Sequence, residues 1–212
     1  MSERGEREKS EWLIDEPACA RLVARVADEA GVKAVLIGRY AIWTFLGRRE
    51  PGRKTKDLDV AVRRVDLEVV RRWMGRQGFP FRNLSIGGVN IRFEESRLNV
   101  DFIDRSDPLM GDFGGLFTAA VDASSETVEI GGLDIPLVPL PYLVAMKFLT
   151  GDDKDRKDVL TLLEARPDTD VDLVRKLFHQ HAPALIPSWE AFLRKIGHHA
   201  ALVRNYRDDG SE

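Results

Sequence analysis

Hydrophobic and polar positions along this chain follow two periods, and their order predicts a mixed α/β fold. Positions three and four apart are apolar in the segments that we predict as helices, whereas strict alternation marks the predicted strands. The predicted helices lie at 17–30, 40–46, 67–77, 116–121, 141–150, 155–164, 171–180 and 189–204, and the predicted strands at 34–37, 57–62, 89–93, 98–103, 127–130 and 133–138. The sequence therefore predicts an α/β (α+β) chain, in which helices flank a mixed sheet and a helical segment follows.

The length of 212 residues suits one substantial domain with a small helical appendage. The charged residues 1–11 predict a disordered tail. We expect the main domain at 12–165 and the helical appendage at 166–212.

Composition narrows the classes of function. Hydrophobic residues make up 43% and charged residues 32% of the chain, which is ordinary for a globular protein. The net charge of -3 argues against a protein whose whole surface binds nucleic acid. We expect no membrane span and no signal peptide, and therefore a cytoplasmic location. A single cysteine, Cys19, excludes an internal disulfide framework and a cysteine-based metal site.

The most informative stretch joins a predicted strand, a glycine, a helix and a second strand. Gly38 lies where the first strand turns into the helix, and free N–H groups at a helix start bind anions. Asp57 and Asp59 are separated by one residue, so both carboxylates project from one face of the next strand. Oxygen ligands in such a pair suit Mg²⁺. Most isolated Asp-x-Asp pairs are surface polar residues, but this order within one short unit favours phosphoryl or nucleotidyl transfer.

A basic loop precedes the two aspartates. Its cations are Arg48, Arg49, Arg53, Lys54 and Lys56, with Glu50 as the only acid among them. Such a loop is either simply solvated or contacts the phosphates of a nucleotide or of an RNA acceptor.

The stretch 35–61 resembles the signature of the nucleotidyltransferase superfamily that shares the DNA polymerase β fold. That signature is a strand, Gly-Gly or Gly-Ser, a helix, and Asp-x-Asp or Asp-x-Glu on the next strand. The sequence Arg-Lys-Thr-Lys-Asp-Leu-Asp at 53–59 reproduces the Arg-x-Thr-x-Asp-x-Asp of bacterial minimal and abortive-infection toxin nucleotidyltransferases. The chain departs from the signature at Arg39, where the family has a small residue.

The resemblance implies further site residues. A third carboxylate is expected on a later strand, where Asp101 fits and Asp104 is the alternative. A lysine on one helix, followed by Lys-Asp-x-x-Asp on the next, is matched by Lys147 and by 154–158. Lys147 is either a nucleotide ligand or a structural partner of Asp155 or Asp158.

The activity implied by the resemblance is transfer of a nucleoside monophosphate from a nucleoside triphosphate to an acceptor hydroxyl. Two Mg²⁺ ions, or Mn²⁺ in their place, would be held by Asp57, Asp59 and Asp101. The implied nucleotide-binding residues are Gly38, Arg39, Arg53, Thr55 and Lys147. The acceptor is left open between a small molecule, a tRNA end and a protein. Two alternatives are a toxin or antitoxin that pairs with a partner protein in a bacterial defence system, and a non-catalytic nucleotide-binding protein.

Overall fold

Seven strands in the first two thirds of the chain form one sheet. The computed structural model describes residues 14–49, 55–107 and 111–208, with side chains up to residue 197. The predicted disordered tail at 1–11 lies outside the described residues. The chain divides into two compact units, 1–139 and 140–212, and the predicted boundary after residue 165 falls inside the second unit.

The first unit contains the sheet and four α-helices among its described residues. The strands are β1 (Val35–Leu36), β2 (Leu58–Ala61), β3 (Arg82–Asn83), β4 (Val89–Phe93), β5 (Leu98–Ile103), β6 (Glu126–Ile130) and β7 (Leu133–Leu137). The helices are α1 (Glu16–Ala30), α2 (Gly38–Leu46), α3 (Leu67–Gln77) and α4 (Gly114–Ala123), and a short 3-10 turn (Arg64–Asp66) precedes α3.

The sheet is mixed, as predicted, with the strand order β3-β4-β5-β2-β1-β7-β6. The pairs β1–β7 and β2–β5 are parallel, and the other neighbours are antiparallel. Apolar side chains of the central strands, including Leu36, Val60 and Phe102, are fully buried. Because their burial fixes which face of each strand is apolar, it also fixes the face on which the intervening polar residues lie.

Two differences from the predicted elements matter for the site. Strand β2 begins at Leu58, so Asp57 directly precedes the strand, which was predicted to begin at residue 57. Strand β3 was not predicted, since its two residues are polar and exposed and show no apolar alternation. It pairs with β4 at the edge of the sheet and places Arg82 opposite Asn90.

The second unit is helical in its described part. Its helices are α5 (Leu140–Thr150), α6 (Asp153–Ala165), α7 (Val171–His181) and α8 (Ile186–Asp208), with a 3-10 turn (Pro183–Leu185) before α8. Rings of Phe148, Phe178 and Trp189 contact one another edge-on or tilted, and Trp189 is fully buried. These aromatic residues form the core that joins α5, α7 and α8. Within the described residues, no helix is both long and apolar enough to cross a membrane.

Candidate functional site

Three carboxylates converge where β2 and β5 run side by side. Asp59 and Asp101 are direct neighbours in the parallel register of these strands, and Asp57 lies two residues before Asp59. One carboxylate oxygen from each residue lies within 4.8 Å of the other two, and all three side chains are partly exposed. In the part of the chain that the structure describes, this is the one group of three acidic, histidine or cysteine side chains with such spacing. The convergence that strand phase predicted is therefore present.

Asp104, the alternative third carboxylate, has a different environment. It is 1% exposed and accepts a hydrogen bond from the hydroxyl of Ser106. It does not belong to the group of three. Asp101 therefore has the position expected of the third carboxylate.

The hydroxyl of Thr55 holds the carboxylate of Asp57. Its Oγ1 lies 2.9 Å from Oδ1 of Asp57 and 3.2 Å from the backbone oxygen of the same residue. Thr55 is 9% exposed, so the contact is largely shielded from water. In the structure Thr55 thus orients a carboxylate, and its predicted contact with a nucleotide remains a prediction.

A network of side-chain hydrogen bonds through two asparagines holds Asp101. The side-chain amide of Asn90, which is 1% exposed, donates to Oδ1 of Asp101 and, at 2.7 Å, to the side-chain oxygen of Asn99. Nε of Arg82 donates to the amide oxygen of Asn90 at 2.9 Å, and the amide of Asn99 donates to the backbone oxygen of Lys56 at 2.6 Å. This hydrogen-bond network therefore links β3, β4 and β5 to the loop before β2.

Burial raises the pKa of Asp101 above the ordinary value for aspartic acid. The hydrogen bond from Asn90 acts in the opposite direction without cancelling it, and the charge of Asp57 raises the pKa further. A carboxyl group in this condition is a better proton acceptor than a solvated aspartate once it is ionised.

The start of α2 lies directly against the carboxylate of Asp59. Gly38 has a φ of 66°, and a Cβ atom added there would lie 2.1 Å from Oδ2 of Asp59. The backbone N–H of Ile37 also donates to the backbone oxygen of Asp59 at 3.0 Å. Glycine is required for two reasons at once, the left-handed backbone and the close approach of the carboxylate.

The other three predicted nucleotide-binding residues lie in different parts of the chain. Arg39 follows Gly38 in α2 and is 7% exposed. Arg53 lies outside the described residues. Lys147 belongs to the second unit, where its Nζ contacts Asp155 at 2.7 Å and Asp158 at 3.6 Å. The structural pairing that the sequence left open for Lys147 is present, and the nucleotide-binding roles of these residues remain predictions.

A cleft of about 190 Å³ lies beside Asp57 and was not predicted from the sequence. Its charged lining residues are Lys56, Asp57, Arg82, Arg92, Glu94 and Arg97. They belong to β3, to the β4–β5 hairpin and to the loop before β2. Only the pairing of these strands brings them together, because the sequence separates them by up to about forty positions.

Three solved structures that are similar to this chain are those of an antibiotic-resistance factor, a nucleotidyltransferase-like protein and an antibiotic adenylyltransferase. The antibiotic-resistance factor ANT(2'')-Ia matches with 16% identity and a TM-score of 0.49, over 86% of this chain and 97% of that protein. An antigenic nucleotidyltransferase-like protein from Paracoccidioides brasiliensis matches with 13% identity and a TM-score of 0.47, over 82% and 92%. The lincosamide antibiotic adenylyltransferase LnuA, bound to lincomycin, matches with 13% identity and a TM-score of 0.43, over 71% and 96%.

No protein-family model matches the sequence, and no curated protein sequence matches it.

Proposed function

We propose that this protein transfers a nucleoside monophosphate from a nucleoside triphosphate to an acceptor hydroxyl, with a divalent metal ion as cofactor. The observation that carries the proposal is the convergence of Asp57, Asp59 and Asp101 within 4.8 Å, directly against the start of α2. A carboxylate cluster alone suits many roles. Its combination with a glycine that brings a helix start against one of the carboxylates is what favours nucleotidyl transfer.

The donor set fits Mg²⁺ or Mn²⁺. All three side chains offer carboxylate oxygen, the ligand that these ions prefer. Three carboxylates this close repel one another when ionised. Burial is the main reason for the raised pKa of Asp101, and the charge of Asp57 adds to it. Asp57, Asp59 and Asp101 would hold the metal, while the triphosphate completes its coordination, as is usual for Mg²⁺ sites in phosphoryl transfer. Bound metal would neutralise charge on the phosphates and acidify the acceptor hydroxyl.

The residues of the chain supply positioning and proton transfer. Backbone N–H groups at the start of α2 bind the terminal phosphates of the triphosphate. Thr55 and Asn90 keep the carboxylates of Asp57 and Asp101 in fixed orientations. The acceptor oxygen forms a bond to the α-phosphorus, and the bond from that phosphorus to the pyrophosphate oxygen breaks. Asp101 takes the hydroxyl proton, so the products are the nucleotidylated acceptor and pyrophosphate.

Calorimetric titration with each of the four ribonucleoside triphosphates, with and without Mg²⁺, tests the nucleotide-binding half of the proposal. Binding that requires the metal in the wild type and disappears in Asp59→Asn is the expected result. Binding that is equally tight without metal would contradict it. The toxin or antitoxin role and the partner protein stay predictions from the sequence, since no observation on the structure favours them.

A further inference from the structure

We propose that the cleft beside Asp57 is the acceptor subsite, and that it takes an acceptor whose reacting hydroxyl lies next to a phosphate ester. This inference rests on the proposed function, because it assigns the second substrate of the same site. The observations that carry it are the position of the cleft, its charge and the way its residues are held.

The position of the cleft separates it from the expected triphosphate site. Helix α2 follows β1, which is the neighbour of β2 on one side. Most of the cleft residues come from β3 and the β4–β5 hairpin, which lie on the other side of β2, and Lys56 and Asp57 of the loop before β2 also line the cleft. A molecule in the cleft and a triphosphate at the start of α2 would therefore approach the carboxylates from opposite sides. An in-line displacement requires this arrangement of nucleophile and leaving group.

The charge of the cleft favours an anion. Four basic side chains line it, those of Lys56, Arg82, Arg92 and Arg97, against two carboxylates. Metal bound at Asp57 would offset one of those carboxylates. The remaining acid, Glu94, pairs with Arg92 at 3.1 Å. Phosphate esters suit arginine because its planar fork donates two hydrogen bonds to their oxygens. A polycationic acceptor, such as an aminoglycoside, would be repelled.

Hydrogen bonds that lead to the carboxylate of Asp101 hold part of the cleft wall in place. Nε of Arg82 donates to Asn90, and Asn90 donates to Asp101. The cation that lines the cleft and the carboxylate that takes the acceptor proton are thus connected through one buried amide. Phe93 and Leu98 add half-buried apolar surface to the lining, which a sugar or base can contact. A phosphate ester bound by these cations would have its hydroxyl end near Asp57, which lines the same cleft.

The test measures binding without a nucleoside triphosphate, so that it does not depend on transfer. The probes are a fluorescein-labelled RNA pentanucleotide with a free 3'-hydroxyl, followed by fluorescence anisotropy in Mg²⁺, and unlabelled ribose 5-phosphate and tobramycin as competitors. The first variant is Arg92→Gln with Arg97→Asn, because asparagine tolerates the left-handed backbone of residue 97, whose φ is 51°. The matched control is Arg72→Gln with Arg76→Gln, which removes two exposed arginines from α3 outside the cleft.

The cleft variant should bind the RNA about tenfold more weakly than wild type, and the slope of log affinity against log salt should become shallower by about 1.4 for two lost phosphate contacts. The control variant should change neither. Glu94→Gln should act in the opposite direction and tighten binding, because it removes a carboxylate from the cleft. Competition by ribose 5-phosphate and not by tobramycin supports recognition of the phosphate ester itself. RNA binding without such competition supports recognition of several phosphates along a strand.

The proposal is overturned if the cleft and control variants bind the RNA equally, or if tobramycin displaces the RNA from the protein more effectively than ribose 5-phosphate does. Triphosphate titration of the same variants separates this result from failure of the proposed function. Loss of RNA binding with unchanged triphosphate binding would locate the effect in the cleft. RNA binding that depends on Arg92 and Arg97, in a protein that binds no triphosphate, would support the cleft and count against nucleotidyl transfer.

Discussion

Replacement of Gly38 by alanine should inactivate the site without unfolding the protein. The new Cβ would lie 2.1 Å from Oδ2 of Asp59, well inside the distance at which carbon and oxygen atoms repel. The carboxylate or the start of α2 must therefore move. A displacement of about 1 Å in such a site costs about 100-fold in rate, and we expect a loss of that size in transfer together with weaker Mg²⁺ binding.

The backbone adds a second, smaller effect. Gly38 has a left-handed φ of 66°, where an L-residue costs about 1–2 kcal/mol. Gly31→Ala is the matched control, since Gly31 has a φ of 69° and no atom within 4 Å of the added Cβ. Gly38→Ala should therefore lose at least as much stability in urea unfolding as Gly31→Ala, and only Gly38→Ala should lose metal binding and transfer.

The assay is a comparison of Mn²⁺ or Mg²⁺ titration and of transfer rate in the two variants. If Gly38→Ala retains wild-type metal affinity and rate, the close approach of α2 to Asp59 has no functional role. If Gly31→Ala loses activity to the same extent, backbone strain and not displacement of Asp59 explains the effect. Either outcome would show that displacement of Asp59 by the added Cβ does not inactivate the site.

Three further changes probe the residues around the site and in the second unit. Asp101→Asn should lower the rate of transfer at least 100-fold. The free energy of unfolding of the metal-free protein in urea should be unchanged or higher, because burial already raises the pKa of this carboxyl group. A large loss of stability would instead mark Asp101 as a structural residue. Asn90→Leu should lower the free energy of unfolding by about 1–3 kcal/mol, since Asp101 loses its buried hydrogen-bond donor. It should also weaken metal binding, and an unchanged metal titration would exclude a positioning role for Asn90. Lys147→Met should lower the free energy of unfolding in urea by about 3–5 kcal/mol, because it leaves the buried carboxylate of Asp155 without its cation. Lys157→Met, at an exposed position of α6, should change it little.

Acidification should reduce the stability that Lys147 contributes. Burial on its own raises the pKa of Asp155, but the ammonium of Lys147 and the hydroxyl of Thr150 outweigh it and hold that pKa below the ordinary value. A carboxyl with a depressed pKa stabilises the fold fully above its unfolded value of about 3.9 and loses that contribution as the pH falls through the folded value. The difference between wild type and Lys147→Met in urea unfolding should therefore be smaller at pH 3 than at pH 7. An equal difference at both pH values would contradict this coupling.

The sequence predicted those features of the fold that depend on local apolar periodicity. The strand that carries Asp59 and the hairpin that carries Asp101 follow from alternation, and their shared face follows from strand phase. Gly38, the first residue of α2, was predicted to lie where the strand turns into the helix, and its role in binding an anion remains a prediction. Its contact with Asp59 could not be predicted, because it depends on how closely a helix start approaches a neighbouring strand.

The parts of the site that the sequence did not predict come from strand pairing. Asn90 lies opposite Asp101 in the register of β4 and β5, a relation that the predicted hairpin could have indicated. Arg82 lies on an exposed two-residue strand without apolar alternation, so neither its pairing nor its place in the cleft left a pattern in the sequence. Thr55 was singled out through the motif alone, and its hydrogen bond to Asp57 gives it a role in the structure.

The fate of the α-phosphate shows whether Asp57, Asp59 and Asp101 act together in nucleotidyl transfer. Each nucleoside triphosphate is supplied with Mg²⁺ and bulk RNA, labelled either at the α- or at the γ-phosphate, and the labelled products are separated. We expect label from the α-position in the acceptor, label from the γ-position in pyrophosphate, and neither product with Asp59→Asn. The proposed role of the three aspartates is wrong if label from the γ-position and not from the α-position enters the acceptor, or if Asp59→Asn forms the α-labelled product at the wild-type rate.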